Sequence, residues 1–314
     1  MADIVALTGA TGFIGGHVAA ALLDAGWRLR VLVRGAPPAA LAAAPAVTLV
    51  RGALDDPASL RELVSGAAAV VHLAGVVKAR RRHEFFAVNR DGVARLLDAV
   101  GPGAPRLVLL SSLAAREPGV SAYAASKRAG NAVLAERGDG LAWTILRPPV
   151  VYGPGDRNTL AFFRAVARGI GPLLAPEAAR VSCLHVGDLA GAVVALLGAG
   201  EATHGETYEI ADGEPGGYGW RRLIEIAASH LGTRPRIVRV PRSLLGAAAR
   251  INALVGLAAG RATMLSPDKV REIGHLDWVC RDSGLNEAVG WRPQVSVARG
   301  FASTIDWYRR EKWL

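Results

Sequence analysis

Short unbroken apolar runs recur along the first two hundred residues, separated by stretches of helical spacing. Ile4–Leu7, Leu29–Val33, Val47–Val50, Val70–Ala74, Leu107–Leu110, Trp143–Leu146 and Thr207–Ile210 read as strands, because each is a brief continuous apolar segment without polar alternation. His17–Ala25, Pro57–Val64 after Asp55 and Asp56, Asn89–Val100 and Ala122–Glu136 read as the helices between them. Apolar strands alternating with helices predict a parallel sheet covered on both faces and wound right-handed, the doubly wound α/β class. From Gly213 the texture changes to helical patches with proline breaks at Pro235, Pro241, Pro267 and Pro293. The expected organisation is a wound domain over 1–152 plus about 183–212, with a smaller, mostly helical substrate region over about 153–182 plus 213–314.

Composition narrows the functional classes. The chain has 314 residues, 51% hydrophobic and 20% charged, which suits a globular protein with a large core. A formal net charge of +10 favours anionic partners, a phosphorylated cofactor among them. No basic stripe is interleaved with aromatics, so nucleic acid is not an expected partner; Arg80, Arg81 and Arg82 form a local run that reads as a solvated loop. Cys183 and Cys280 have no metal-type spacing, and no metal is expected; they read as core thiols in a reducing, cytoplasmic setting. No secretory signal is visible at the start. The longest apolar stretch, Ile251–Gly260, is too short to span a bilayer and reads as a buried core helix, so no integral membrane association is expected.

The first strand runs into LTGATGFIGG, which places Gly9, Gly12, Gly15 and Gly16 where a strand becomes a helix. Glycine weakens both elements, so packing alone does not account for the run. A dinucleotide pyrophosphate does: Gly9 permits the tight turn, Gly12 lets amides approach phosphate, and Gly15 lets helix pack on strand. This is the Rossmann-type use of a wound sheet. The spacing Gly-x-x-Gly-x-x-Gly after Thr8 is similar to the loop of the extended short-chain dehydrogenase/reductase superfamily, the NAD-dependent epimerase/dehydratase family. Further segments resemble that family in the same order: HLAG (His72–Gly75), VNRDG with Asn89, LVLLSS ending in Ser111 and Ser112, YAASK with Tyr123 and Lys127, RPPVVYGPGD (Arg147–Asp156) and HVGDLA (His185–Ala190).

The resemblance implies a site. Tyr123 and Lys127, four apart, share a helical face and can address one ligand. Tyr123 is expected to exchange a proton with a substrate oxygen while hydride moves between the nicotinamide and the adjacent carbon. Lys127 is expected to hold the nicotinamide ribose and, with the oxidised ring, to lower the phenol's pKa from its usual value of about 10. Ser112 would orient the substrate oxygen, with Ser111 as the alternative. The cofactor contacts implied are Gly9, Thr11, Gly12, Phe13, Ile14 and Gly15 in the turn; Leu73, Ala74 and Gly75 in HLAG; Pro148 and Val150 in RPPVVYGPGD; and Tyr123 and Lys127. Asn89 and His185 read as braces, and Asp188 as the cap of the helix it begins.

Cofactor choice is argued from the end of the second strand, where a carboxylate selects NAD and an arginine suits the 2′-phosphate. LRVLVRG offers Arg34 and no carboxylate, which favours NADP(H), NAD(H) remaining open. In RGALDD, the position where relatives carry an aspartate toward adenine is Ala53; Leu54 is left to flank the ring. Ser111-Ser112-Leu113 stands where sugar dehydratases carry Thr-Asp-Glu, and Tyr123 lies eleven positions after Ser112, a compact spacing similar to the reductase and 3β-hydroxysteroid branches. The expectation is an NAD(P)-dependent oxidoreductase for a secondary alcohol, ketone or aldehyde. The alternatives are a nucleotide-sugar epimerase with retained NAD and a non-catalytic dinucleotide-binding sensor or assembly factor. The family implies a homodimer through helices flanking the Tyr-Lys segment.

Overall fold

The computed structural model describes residues 3–101, 106–281 and 284–314. All seven anticipated strands form, and they assemble into one parallel sheet. β1 (Ile4–Thr8), β2 (Arg28–Val33), β3 (Val47–Arg51), β4 (Ala69–His72), β5 (Arg106–Leu110) and β6 (Trp143–Arg147) are joined by a last strand, Glu206–Glu209. The order is last strand, β6, β5, β4, β1, β2, β3. The chain therefore winds outward from β1 through β2 to β3, then returns to β4 and winds the other way. Between β1 and β4 lies the switch point, the crevice at strand C-termini where wound sheets bind ligands. Register carries this through: Thr8 pairs with His72, so the segments leaving the two strands emerge side by side.

The apolar runs are buried because both sheet faces are covered. One face packs Val5, Leu7, Val31 and Val71 against Val18 and Leu22 of α1 (Phe13–Asp24) and against Leu189 and Val193 of the helix Val186–Leu197. The other packs Ala6, Val70, Leu107 and Ile145 against Leu60, Leu96 and Leu134. A third cluster gathers Tyr152, Phe163, Ile224, Phe301, Ile305 and Tyr308. Its rings meet edge to face, Phe163 and Phe301 with centroids 4.9 Å apart, a geometry favoured by their quadrupoles.

Two local expectations are corrected. The helix expected over Asn89–Val100 is two, Arg82–Asn89 and Asp91–Val100, meeting at Arg90. The apolar helix at Ile251 is not a core helix. It spans Arg242–Ala258 and buries only Leu245, Ala249 and Gly256, leaving Ile251 64% and Leu254 67% exposed. Leucine, alanine and valine occupy nearly its whole circumference, so burial of one narrow stripe leaves another apolar stripe in solvent. Among the described residues no helix is long and apolar enough to cross a membrane.

Candidate active site

The turn after β1 is shaped by backbone contact. Gly9 has φ +78°, and a Cβ there would stand 2.6 Å from the Ala74 amide nitrogen, so the β1 turn and HLAG touch main chain to main chain. A Cβ on Gly15 would be driven into the Gly9 carbonyl oxygen and to 2.7 Å from Ala10 Cα. Gly12 donates to the Gly9 carbonyl at 3.0 Å and stands at the N-cap of α1, where no side chain caps the helix and no acidic residue occupies the first turn. The amides of Phe13, Ile14 and Gly15 are consequently turned to whatever lies beyond the helix end, the arrangement that receives phosphate. Thr11 is exposed beside them.

Thr8 and His72 fasten β1 to β4. The Ala74 amide donates to Thr8 Oγ1 at 3.2 Å, and Thr8 Oγ1 lies 2.8 Å from His72 Nδ1. With Thr8 accepting from Ala74, its hydroxyl proton is free for Nδ1, which puts the imidazole proton on Nε2. His72 is fully buried; desolvation first, then the Lys127 charge, pushes its pKa down to about 3.

Lys127 comes to the same edge. Its Nζ donates to the Leu110 carbonyl at 2.9 Å, at the end of β5, and lies 3.1 Å from where a Cβ of Gly75 would be. Burial lowers its pKa to about 8. Asn89 braces this corner as expected: it accepts from Val76 N at 2.9 Å, donates to Val76 O at 3.0 Å and donates to Ser126 Oγ at 2.9 Å. The loop after β4 is thereby tied to the helix Ala122–Arg137, which begins at its Ser121 cap and carries both Tyr123 and Lys127.

The two serines separate into different environments. Ser111 is buried, and the Asn131 amide, oriented to satisfy its neighbours, donates to Ser111 Oγ at 2.7 Å while accepting from Arg147. Ser112 accepts from Ala114 N at 3.2 Å, and it is the Ser112 hydroxyl whose influence draws the Tyr123 pKa down. Ser112, not Ser111, accompanies the tyrosine.

The phenol does not show the anticipated acidification. Burial pushes the Tyr123 pKa up to about 12, the Ser112 hydroxyl draws it down, and the Glu272 charge raises it. Lys127 is no contributor, since its ammonium is turned to the Leu110 carbonyl. A second correction concerns Asp188. His185 Nδ1 accepts from Gly187 N at 3.2 Å and is the cap of its helix, whereas both Asp188 oxygens accept from the distant amides of Gln294 and Val295, each at 3.0 Å.

The remaining expected contacts border the crevice with less definition. Arg34 is exposed directly after β2. Leu54 is half-buried and packs at Gly92. Leu73 is half-buried, the Pro148 carbonyl accepts from Leu113 N at 2.8 Å, and Val150 is exposed on a strand paired with Cys183. Cys183 and Cys280 are free thiols.

Sequence reasoning missed the wall opposite Tyr123. Phe85 stands with its ring 6.3 Å from that of Tyr123 and lines a cavity of about 300 Å³ with Ala122, Arg81, Leu257, Thr263 and Ser266. Asp268 accepts from Ala122 N at 2.7 Å and Arg271 donates to Val120 O at 3.0 Å, so the short helix Pro267–Ile273 clamps the start of the Tyr123 helix. No local pattern announces these residues, because each acts through a contact well over a hundred positions away, Phe85 excepted, and Phe85 sits in a charged run.

Comparison with known proteins accords with this geometry. A ceramide reductase of Caulobacter vibrioides is 39% identical over 319 aligned residues, covering 99% of this chain and 96% of its own. A 3 beta-hydroxysteroid dehydrogenase/Delta 5→4-isomerase of Mycobacterium tuberculosis is 29% identical, covering 67% of this chain and 65% of its own. Among solved structures, a UDP-glucose 4-epimerase of Thermotoga maritima with UDP-glucose superposes with a TM-score of 0.76 at 20% identity, covering 99% of both chains, which shows a shared fold. The family model matches residues 5–211, about two thirds of the sequence, so the chain belongs to the NAD dependent epimerase/dehydratase family.

Proposed function

We propose that the protein is an NADP(H)-dependent reductase of a long-chain lipid carbonyl of the ceramide type, working through Ser112, Tyr123 and Lys127. The observation that carries this reading is the placing of Ser112 by Tyr123, whose ring meets the Phe85 wall of a cavity, on the sheet edge where Lys127 abuts Gly75. When bound, the nicotinamide supplies the hydride. The uncapped amides of α1 and the clearance at Gly9 and Gly15 fit its pyrophosphate, and Lys127 fits the ribose hydroxyls. Arg34, free at the end of β2, fits a 2′-phosphate.

The chain's own groups suit reduction. A phenol raised to about 12 is protonated at neutral pH, which is the form that gives its proton to a carbonyl oxygen as that oxygen gains negative charge. Ser112 donates to the same oxygen and fixes its position. Lys127, already deprived of solvation, is spared competition from water for a ribose hydroxyl. Residues 153–182 and 213–314 form the substrate side, with Phe85 and Leu257 offering apolar surface. The 39% identity to a ceramide reductase along nearly the whole chain supports a lipid substrate.

The test is oxidation of NADPH by purified protein with a long-chain keto-amide lipid in mixed micelles. Turnover in the parent and a loss of about 10²- to 10⁴-fold in Tyr123→Phe, with NADPH affinity retained, is the expected result. Equal turnover in the variant sinks the proposed chemistry. Tightly held NAD carried through purification, with activity on nucleotide sugars and none on lipids, would establish the epimerase instead.

A further inference from the structure

The helix Arg242–Ala258 presents Leu244, Ile251, Leu254, Val255 and Leu257 to solvent, each at least half or nearly half exposed. Ile251 lies seven positions after Leu244 and Val255 four after Ile251, so these three form one continuous stripe, which Leu254 widens. Singly exposed leucines need no explanation, but a contiguous apolar face on one helix does.

The helix and its sequence flanks carry charge of one sign, although Arg239 is paired with Glu177 at 2.6 Å and Glu84 and Asp268 stand at the cavities beside Leu257. From Glu225 to Asp268 the sequence contains no Asp or Glu between those two residues, while Arg234, Arg236, Arg239, Arg242, Arg250 and Arg261 all fall within it. The Arg80–Arg82 loop joins them at the C-terminal end of the helix, where Arg80 Nη1 lies 3.9 Å from the position of a Cβ on Gly260. Arg80 is paired with Glu84 at 3.5 Å and Arg82 lies over the Phe86 ring. Arg81, Arg250 and Arg261 have no carboxylate partner among the described residues. Apolar side chains ringed by unpaired arginines are what an interfacial helix needs to sink into the acyl boundary of an anionic bilayer while its guanidinium groups meet lipid phosphates. A second copy of this chain offers no such complement, since a symmetric contact through this helix would set Arg250 and Arg261 against their own equivalents.

We propose that this helix, with the Arg80–Arg82 loop, docks the enzyme peripherally on anionic lipid bilayers. The opposite side of the same helix faces inward: Ala253 and Leu257, with Arg261 just beyond the helix, line the cavity with Phe85, whose ring stands 6.3 Å from that of Tyr123. Docking would thus bring the bilayer surface next to the cavity whose Phe85 wall adjoins Tyr123. The docking deepens the lipid-reductase proposal, but it stands on this surface and is measured without turnover, so either can fail alone.

The experiment is flotation of full-length protein with vesicles of phosphatidylcholine alone and of phosphatidylcholine carrying about a third phosphatidylglycerol, at low and high salt. Expected are recovery with the anionic vesicles, weakening by salt, and a loss of at least about tenfold in Ile251→Glu/Leu254→Glu, because charges at the apolar face cannot enter the acyl region. Thermal midpoint and NADPH binding of the double variant, unchanged from the parent, establish that it folds. Arg250→Glu provides a second measure, with a smaller loss confined to anionic vesicles. No recovery with anionic vesicles at low salt, or equal recovery of parent and double variant, overturns the proposal. So does light scattering that shows a parental dimer split to monomer by the double substitution, which would make the face an interface between copies.

Discussion

The turn after β1 and the helix Arg242–Ala258 both border the candidate site, yet they are held by opposite means. In the turn, backbone meets backbone: Gly9 against Ala74, Gly15 against Gly9 and Ala10. Nothing there can move aside cheaply, because the colliding atoms are main chain in the segments that leave β1 and β4 side by side. In the helix, only Leu245, Ala249 and Gly256 are buried, and Leu244, Ile251, Leu254 and Val255 are more than 60% exposed. The first region is fixed by what it excludes, the second is left open for what it will meet. A cofactor common to a whole family can be received by rigid main chain, whereas a bulky substrate needs a wall that can be built from interchangeable apolar side chains.

The strongest way to break this contrast is at Gly15. Gly15→Ala drives a methyl group into main chain that cannot retreat, and the expected cost is about 3 kcal/mol of stability with weakened NADPH binding. Chemical denaturation and calorimetric titration measure both. A variant as stable as the parent, with intact binding, would mean that the turn yields as readily as the distant helix.

His72 gives the next effect, through pH. Its imidazole, at about 3 in the folded protein against 6.5 when unfolded, binds its proton more tightly in the unfolded chain. Stability therefore rises with pH between those values, and it falls as pH drops through 6.5. At pH 5 the loss relative to pH 8 should be about 2 kcal/mol from this one residue, and His72→Gln should flatten that slope in denaturation curves taken across the range. Carboxylates add their own acid sensitivity, so the measured quantity is the difference between parent and variant.

These two residues also show how far the sequence could be read. The strands were legible because parallel strands buried on both faces are continuous apolar runs, and the turn was legible because few residues satisfy its sterics. Ser112 was legible as one of a pair; preferring it required Asn131, which bonds Ser111 while its amide oxygen accepts from Arg147. The exposure of Ile251 was not legible, since a helix apolar on nearly every side has the same sequence pattern whether it is buried in a core or waiting for a partner. Asp188 looked like a cap because capping is local, but its oxygens are claimed by amides more than a hundred residues later. Spacing placed Tyr123 and Lys127 on one helical face; it carried no information that Leu110 O would take the ammonium.

Arg34 sharpens the comparison at a smaller scale, because it is an exposed charged side chain on a cofactor side otherwise shaped by main chain. Arg34→Glu should raise KM for NADPH about tenfold, or about 1.4 kcal/mol, with little change for NADH. The ratio of kcat/KM for the two cofactors reads it directly. An unchanged ratio removes Arg34 from the 2′-phosphate.

The smallest effect is the most discriminating, because it sets two adjacent glycines against each other. Gly16 is exposed in the first turn of α1, and a Cβ there would come no closer than 3.9 Å to its nearest atom, the Ala10 carbonyl oxygen. Gly16→Ala should therefore raise the stability of the free protein by about 0.5–1 kcal/mol, since alanine restrains the unfolded chain and favours helix. Gly15→Ala, one residue away, should lower it severalfold more. If both destabilise alike, the turn is sensitive to any side chain in that helix and the close approach of Gly15 to Gly9 is not the cause; opposite signs, read as thermal midpoints moving in opposite directions, isolate main-chain contact as what the glycine run is for.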